Sequence, residues 1–332
     1  MMTDGEITEL LTTEDVSEVE ELHGRARMAA ESVYGDRVFA RGLVEISSYC
    51  RNNCYYCGLR RDNLKAERYR LSPDAILKAC DDGYEMGLRS FVLQGGEDMW
   101  FTDERIAEIV REVKERHEDV AVTLSVGERE EKSYRLWREA GTDRYLLRHE
   151  AADKCLYETL HPKEMSYDNR LRCLRDLQRL GYQTGCGFMV GAPGCSVEGY
   201  LKDIRLIEEL RPAMVGIGPF IPAAGTLFDK YSHGSAEMTL RLLSVIRLID
   251  PHLLMPATTA LGTILEDGME RGVMAGANVI MPNITPMTER GKYTIYDNKK
   301  VTGSDAAESL ELTGKRLKTI GKRLTLARGD WK

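Results

Sequence analysis

Short apolar runs alternate with amphipathic helical patterns through most of this 332-residue chain, and no other feature restricts its fold as strongly. Eight runs have the length and composition of buried strands, and helical patterns lie between them. Eight strands with helices between them predict an α/β fold, a (β/α)8 barrel of the TIM type. A doubly wound open sheet is the alternative, although it would show fewer strands before a domain break. The strand candidates are 43–46, 91–94, 120–124, 145–147, 187–190, 214–217, 253–255 and 279–281.

The same patterns divide the chain into three parts. Residues 1–41 have helical periodicity and form a predicted N-terminal extension. No linker rich in Pro, Gly or Ser interrupts residues 42–290, which predicts one continuous barrel. Residues 291–332 form a C-terminal extension, in which a basic helical pattern over 305–326 predicts a helix on the outside of the barrel.

Composition and charge exclude several classes of protein. The chain carries 46 basic and 53 acidic side chains, so it lacks the basic surplus of nucleic-acid binders. No apolar run approaches the roughly 20 residues that span a bilayer. The acidic first 21 residues do not resemble a secretion signal. We therefore expect a cytoplasmic protein that binds neither nucleic acid nor membranes, with its eight cysteines as metal ligands or buried thiols.

Three of these cysteines lie on one loop after the first predicted strand. Cys50, Cys54 and Cys57 have the spacing C-x3-C-x2-C, so their thiolates can bind one metal centre. A zinc site calls for a fourth ligand, and the nearest cysteine, Cys80, lies inside a helical pattern. Three ligands instead suit a 4Fe-4S cluster with one iron open to a small molecule. The polar residues 51–53 argue against three thiols that only pack.

A second motif, Gly95-Gly96-Glu97, directly follows the second predicted strand. Paired glycines let the backbone approach a ligand closely. Such turns are common after strands, so the motif alone is weak. It lies one βα unit after the cysteine loop, and that combination is far more specific.

The cysteine loop, with Tyr56 directly before its last cysteine, and the glycine motif together resemble the signature of radical S-adenosylmethionine (SAM) enzymes. The resemblance implies that the open iron of one 4Fe-4S cluster binds the amino and carboxylate groups of SAM. Reductive cleavage of SAM then gives methionine and a 5′-deoxyadenosyl radical. The electron would come from a donor such as a ferredoxin or flavodoxin.

Within this superfamily the chain resembles the HydE family of FeFe-hydrogenase maturases, over about residues 1–300. The resemblance implies that the radical acts on a cysteine-bound iron precursor carrying CO and cyanide, an organometallic or amino-acid-derived small molecule. It also implies other hydrogenase maturation proteins as partners. Two alternatives stay open: a methylornithine synthase-like mutase acting on lysine, and a non-catalytic iron-sulfur scaffold, which would need four thiolates. The similar stretches are 54–69, 92–98, 143–150, 215–222, 256–263 and 277–285.

Polar side chains follow several predicted strands, at the end where barrel enzymes carry their chemistry. The resemblance implies that Glu150 and Arg170 bind the amino-acid end of SAM and that Arg148 faces the cavity. A guanidinium suits a carboxylate, although surface salt bridges are the commoner use of such residues. His149 we interpret as structural. The predicted SAM-binding residues are Tyr56, Gly95, Gly96, Glu97, Ser125, Glu150, Arg170 and Met189.

A further set of residues is predicted to face the substrate. For the threonines of this set the alternative is helix capping, for the methionine core packing, and for the tyrosines a place on the surface. A substrate cavity inside a packed barrel also needs small inward residues, and Gly187, Gly216 and Gly218 lie at suitable strand positions. The predicted catalytic residues are Thr123, Arg148, Met214, Thr258, Thr259, Tyr293 and Tyr296.

The chain departs from the resemblance in one respect. Some HydE-family sequences carry cysteines after the eighth strand that bind a second cluster, whereas here residues 296–300 contain none and the last cysteine is Cys195. The sequence therefore predicts one 4Fe-4S cluster, with the scattered remaining cysteines as small buried hydrophobes.

Overall fold

A computed structural model describes residues 2–299 and 305–332. Met1, in the predicted N-terminal extension, and residues 300–304, in the predicted C-terminal extension, lie outside this range. Strands and helices alternate along most of it. The strands are β1 (Arg37–Ala40), β2 (Gly42–Ser47), β3 (Ser90–Gly95), β4 (Ala121–Ser125), β5 (Arg144–Leu146), β6 (Gln183–Cys186), β7 (Met189–Val190), β8 (Met214–Val215), β9 (Gly218–Pro219), β10 (Val279–Ile280) and β11 (Arg323–Thr325). The helices are α1 (Asp4–Thr12), α2 (Val16–Tyr34), α3 (Pro73–Glu85), α4 (Asp103–Arg116), α5 (Glu131–Glu139), α6 (Lys154–Leu160), α7 (Tyr167–Arg179), α8 (Val197–Leu210), α9 (Ala236–Ile249), α10 (Thr259–Ile264), α11 (Gly268–Met274), α12 (Met287–Arg290) and α13 (Ala306–Thr319).

The strands form a parallel sheet that closes on itself. Six pair in the order β2-β3-β4-β5-β6-β8, and β1 pairs in parallel with both β10 and β11. Three single parallel bridges join the two sets, Leu43 to Asn283, Met214 to Leu254 and Pro256 to Val279. This arrangement confirms the predicted α/β barrel. None of the helices in the described part of the chain has the length and hydrophobicity that crossing a bilayer requires.

Helices of the outer layer begin at hydroxyl caps and bury one apolar face. In α4, for example, Ile106, Ile109 and Val110 are buried against the barrel. Seven of the described helices begin after a Ser or Thr whose hydroxyl accepts a hydrogen bond from a backbone N–H of the first turn. These caps are Thr3, Ser72, Thr102, Ser166, Ser196, Ser235 and Thr258.

Side chains alternate between the two faces of each strand, and this alternation sets which residues enter the barrel interior. On β2, Val44 and Ile46 pack in the hydrophobic core under the helices, so Glu45 between them points inward. The register pairs Glu45 with Gln94 on β3, and Gln94 with Ser125 on β4. One layer of the interior is therefore polar on these three strands.

Several predicted elements differ from the structure. The fifth strand is Gln183–Cys186 rather than 187–190, because Gly187 has a φ of 148° and interrupts the wall before β7. The helix predicted over 263–274 is divided into α10 and α11. The run 253–255 takes part only in single bridges.

The C-terminal tail also departs from prediction. The helix over 305–326 was predicted too long: α13 ends at Thr319, and Gly321 follows with a φ of 71°, a conformation typical after a helix C-terminus. The chain then adds β11 beside β1.

Candidate functional site

The cysteine loop follows β2 and is fixed by one arginine. The Arg68 guanidinium donates hydrogen bonds to the carbonyls of Ser48, Leu59, Arg60 and Asn63, on both sides of the three cysteines. Four backbone carbonyls held by one side chain give an irregular loop a single conformation. The sequence offered no signal for this role of Arg68.

The three thiols of the loop lie within electrostatic range of one another. Burial raises the pKa of Cys54 well above its usual value, with Cys57 and Cys50 adding to the effect, and burial raises that of Cys57 to about 12. Thiolates here thus require a strong cationic partner, which iron supplies. No three His, Cys, Asp or Glu side chains of residues 2–299 and 305–332 converge on one metal ion. Three thiol donors on one loop match the ligand set that a 4Fe-4S cluster with one open iron needs.

Tyr56 faces a buried histidine. Its hydroxyl lies 3.3 Å from His161 Nε2, and His161 Nδ1 lies 2.8 Å from the Tyr157 carbonyl oxygen. The carbonyl can only accept, so Nδ1 carries the proton and Nε2 accepts from Tyr56. Burial lowers the pKa of His161 to about 3, which keeps the ring neutral. His161 was missed because it lies 105 residues from Tyr56 in sequence.

The glycine motif packs directly on the cysteine loop. A Cβ at Gly96 would lie 2.2 Å from the Tyr49 carbonyl oxygen and 2.8 Å from Cys50 Cβ, so only glycine fits. The Glu97 carboxylate pairs with Arg51 at 2.9 Å and accepts a hydrogen bond from a backbone N–H at 2.7 Å. Gly95 ends β3. The structure thus brings together the two motifs that the sequence singled out.

Arg148 and Glu150 follow β5 on a strained segment. Glu150 has a φ of 68°, which residues other than glycine rarely adopt outside turns and helix ends. Strained residues of this kind cluster at active sites and ligand-binding segments. Arg148 Nη2 lies 2.9 Å from Glu150 Oε2, yet neither atom has hydrogen-bond geometry with any described partner. Between them, His149 is buried with Asp203 at 3.1 Å, in agreement with a structural role.

Arg170, in the first turn of α7, has one free end. Its Nε donates to Glu128 Oε1 at 2.5 Å and its Nη1 to the Arg148 carbonyl, while its Nη2 bonds to no residue in the described ranges. Asn169 Nδ2 donates to the second Glu128 oxygen at 2.6 Å. Glu128 therefore orients Arg170, a contact between two elements that no sequence pattern predicts.

A polar cluster lines the barrel interior beside the predicted tyrosines. The Lys299 ammonium pairs with the buried Glu45 carboxylate, which also accepts from Asn283 at 2.9 Å. Tyr293 is buried, and its hydroxyl lies 3.4 Å from Gln94 Nε2. Tyr296 is half-buried, and burial raises its pKa to about 12. Glu45, Gln94 and Lys299 were missed, because an isolated charge in a strand or loop carries no pattern.

The predicted threonines occupy two different settings. Thr123 is buried on β4, pointing inward, and its hydroxyl has no hydrogen-bond partner among the described residues. Thr258 caps α10 through a long 3.5 Å hydrogen bond, and Thr259 is the first residue of that helix. Both line a cavity of about 190 Å³ that Arg316 of α13 also borders. Ser125 ends β4 beside Gln94.

The predicted methionines are both buried. Met214 begins β8 and packs with Tyr34 and Phe39, with Arg41 Nη1 2.9 Å from its sulfur. Met189 lies in a second apolar cluster, against the cysteine loop.

Of the three glycines expected to open the interior, one does so. A Cβ at Gly216 would have Pro256 Cγ as its nearest neighbour, at 3.9 Å. At Gly187 it would lie 2.0 Å from the Gly216 carbonyl oxygen, and at Gly218 2.7 Å from Thr258 Oγ1. Gly187 and Gly218 therefore permit close packing rather than creating space.

Comparison with known proteins identifies the family of the chain. Residues 44–207 match the Radical SAM superfamily. The chain is 42% identical over 289 residues to the [FeFe] hydrogenase maturase subunit HydE of Thermotoga maritima, covering 87% of this chain and 82% of that protein. It is 30% identical over 325 residues to the 3-methylornithine synthase of Methanosarcina acetivorans, covering 97% and 88%. The crystal structure of a methylornithine synthase superposes with a TM-score of 0.87 at 28% identity, covering 98% of this chain and 94% of that one. The chain is therefore a radical SAM enzyme and belongs to the branch of that superfamily that contains HydE and methylornithine synthase.

Proposed function

We propose that this enzyme acts in FeFe-hydrogenase maturation, as HydE does. The observation that carries the proposal is the 42% identity to HydE, against 30% to 3-methylornithine synthase. The proposed substrate is a cysteine-bound iron complex with CO and cyanide ligands, and the product would pass to other maturation proteins.

In this proposal Cys50, Cys54 and Cys57 bind one 4Fe-4S cluster, and SAM binds at its open iron. When bound, the two groups supply a 5′-deoxyadenosyl radical. The chain itself positions SAM: Arg170 Nη2 is free to donate to the carboxylate, and Glu97 beside the cysteine loop offers an acceptor near the amino group. The remaining proposed SAM contacts are Tyr56, Gly95, Gly96, Ser125, Glu150 and Met189.

The barrel interior would hold the substrate. Arg148 Nε and Nη2 and the Thr123 hydroxyl are buried donors without hydrogen bonds to the described residues. Buried donors without hydrogen bonds suit an anionic ligand, such as cyanide on iron or the carboxylate of cysteine. Thr258, Thr259, Met214, Tyr293 and Tyr296 complete the proposed substrate site.

One observation favours the methylornithine synthase alternative. A lysine substrate needs a carboxylate facing its ε-ammonium, and Glu45 is a buried carboxylate inside the barrel. The ammonium of the chain's own Lys299 already binds it, so lysine would have to compete for this position.

The surface around the cysteine loop supports the proposed electron donor. Arg51, Arg61, Lys65 and Arg70 are exposed there, and the three arginines form ion pairs with Glu97, Asp62 and Asp98. These cations complement a small acidic protein such as a ferredoxin or flavodoxin. The proposal places the enzyme in an anoxic cytoplasm, because a thiolate-bound cluster needs reducing surroundings. The proposal also keeps the predicted division of the chain into an N-terminal extension (1–41), a barrel (42–290) and a C-terminal extension (291–332).

The experiment compares two substrates. The cluster-reconstituted enzyme is mixed with SAM, dithionite and either a cysteine-ligated Fe(CO)(CN) complex or L-lysine, and 5′-deoxyadenosine and products are measured. We expect turnover with the iron complex alone. Turnover with lysine alone would support the mutase, and no SAM cleavage under any condition would support the scaffold. A Cys57→Ala variant provides the background level.

A further inference from the structure

Tyr157 on α6 is a buried residue without an assigned role. Its side chain is fully buried, and its hydroxyl forms no hydrogen bond to any residue in the described ranges. Nearly all buried hydroxyls have a partner, and an unpaired one is costly. Such a group is therefore expected where a ligand completes the hydrogen bond.

The ring of Tyr157 is held rigidly against the cofactor side of the barrel. It stacks on His161 with 4.1 Å between ring centroids, and His161 in turn accepts from Tyr56 of the cysteine loop. The backbone N–H of Tyr55 donates to the Leu160 carbonyl at the end of the same helix. The position of this ring is therefore coupled to the loop that carries the cluster.

Tyr157 also lies beside the free end of Arg170. The Arg170 guanidinium carbon lies 5.7 Å from the Tyr157 ring centroid. Glu128 and the Arg148 carbonyl occupy Nε and Nη1 of Arg170, which leaves Nη2. Burial raises the pKa of Tyr157, so the phenol keeps its proton and remains a donor. The Tyr157 hydroxyl, a neutral donor without a partner, is therefore carried on the ring beside the Arg170 guanidinium, whose Nη2 is a second, cationic donor.

A carboxylate matches this pair, because its two oxygens accept from two donors at once. We propose that Tyr157 is a SAM-binding residue, whose hydroxyl donates to the carboxylate that Arg170 binds through Nη2. This inference rests on the SAM site of the proposed function and is independent of the substrate. The other anionic acceptor in reach would be a sulfur of the cluster, and the test separates the two.

The test uses Tyr157→Phe, which removes the hydroxyl and keeps the stacked ring. The matched control is Tyr182→Phe, because the Tyr182 hydroxyl donates to the Tyr134 carbonyl at 2.6 Å, away from the cysteine loop. Dissociation constants of SAM and of decarboxylated SAM are measured for each cluster-loaded protein without reductant. We expect Tyr157→Phe to weaken SAM binding about 10- to 100-fold, as for a hydrogen bond to a charged group. Decarboxylated SAM should bind the variant and the wild type equally, and Tyr182→Phe should bind both ligands like the wild type.

Other outcomes overturn the inference. Unchanged SAM affinity would show that the hydroxyl makes no contact with SAM, and an equal loss for both ligands would exclude the carboxylate as acceptor. A changed cluster spectrum before SAM is added would assign the hydroxyl to the cluster instead. If the variant does not load its cluster, the wild type is measured instead, with isotope-labelled tyrosine, by infrared difference spectroscopy. The inference then requires that the phenol band of tyrosine shifts when SAM is added and does not shift when decarboxylated SAM is added. A wild type that binds no SAM would refute the proposed function itself, which is a separate failure.

Discussion

Two arginines on the same strand segment, four residues apart, have opposite surroundings. Arg144 begins β5 at the amino end of the barrel and is fully buried, with every terminal nitrogen of its guanidinium hydrogen-bonded. Arg148 follows the carboxyl end of β5, and its Nε and Nη2 have no hydrogen bond in the described part of the chain. The partners of Arg144 are Ser90, Gln183, Arg328, Gly329 and Asp330.

The difference separates the roles of these two arginines. At the amino end the C-terminal tail supplies carbonyls and a carboxylate, so a buried charge is fully paired and holds the tail in place. At the carboxyl end Arg148 has an ion pair with the strained Glu150, while its Nε and Nη2 have no hydrogen bond to the described residues. Such groups destabilise the free protein, and their arrangement suits a ligand that pairs them.

The largest expected effect lies at the carboxyl end, in the cysteine loop. Cys57→Ala should abolish SAM cleavage and reduce bound iron from about four atoms per chain, the content of one 4Fe-4S centre. Iron and sulfide analysis, together with 5′-deoxyadenosine yield, measures this. Cys155→Ala, at an exposed cysteine, is the matched control and should behave like the wild type. Full iron content and cleavage in Cys57→Ala would remove this thiol from the ligand set.

The same substitution at the two arginines tests the comparison itself. Arg144→Met should lower the free energy of unfolding by about 2–4 kcal/mol, because it leaves several buried partners without a donor. Arg148→Met should lower the free energy of unfolding less, by about 1 kcal/mol, because it breaks only the ion pair with Glu150. It should reduce turnover of the substrate, since it removes donors that have no hydrogen bond to the described residues. Urea unfolding of the apoproteins and single-turnover assays give both values. Equal destabilisation by the two substitutions would contradict the distinction between the two ends.

The buried His161 gives the carboxyl end a pH dependence. Its pKa falls from 6.5 to about 3 on folding, so the unfolded chain binds more protons than the folded one between these values. The contribution of the neutral ring to the free energy of unfolding is fully present above pH 6.5 and is lost as the pH falls towards 3. We expect a loss of about 1–2 kcal/mol between pH 7 and pH 5. His161→Gln should flatten this part of the stability curve of the apoprotein. An unchanged slope would mean that the ring is not buried in the neutral form.

The smallest effect concerns backbone strain. Glu150→Gly should raise the free energy of unfolding by about 1 kcal/mol, because glycine adopts a φ of 68° without steric cost. The same variant should bind SAM more weakly, since it loses the carboxylate. Calorimetry of the apoprotein and SAM titration of the holoenzyme measure the two changes. A destabilised Glu150→Gly would show that the side chain supports the fold.

The features that the sequence predicts correctly are those that depend on neighbouring residues in the chain. The cysteine spacing and the Gly95-Gly96-Glu97 motif are local, and the apolar runs reveal outward positions such as Val44 and Phe91. The fifth strand was misplaced because Gln183–Cys186 has polar inward positions, one of which bonds to Arg144.

The site residues that the sequence does not predict depend on contacts between elements far apart in the chain. Glu128 binds Arg170 across 42 residues, and Lys299 reaches Glu45 across 254. Each is an ordinary surface residue type, and only the closed barrel makes it buried. No periodicity or spacing in the sequence predicts such a pair.

The most direct test of this barrel end as a SAM site is whether SAM binds the iron that the three thiolates leave open. Electron-nuclear double resonance of the reduced, cluster-loaded enzyme with SAM carrying a ¹⁵N amino group measures this. We predict a ¹⁵N coupling to the cluster in the wild type, together with an altered cluster signal. A cluster signal that SAM leaves unchanged, with no ¹⁵N coupling, would contradict the assignment of this barrel end as a SAM site.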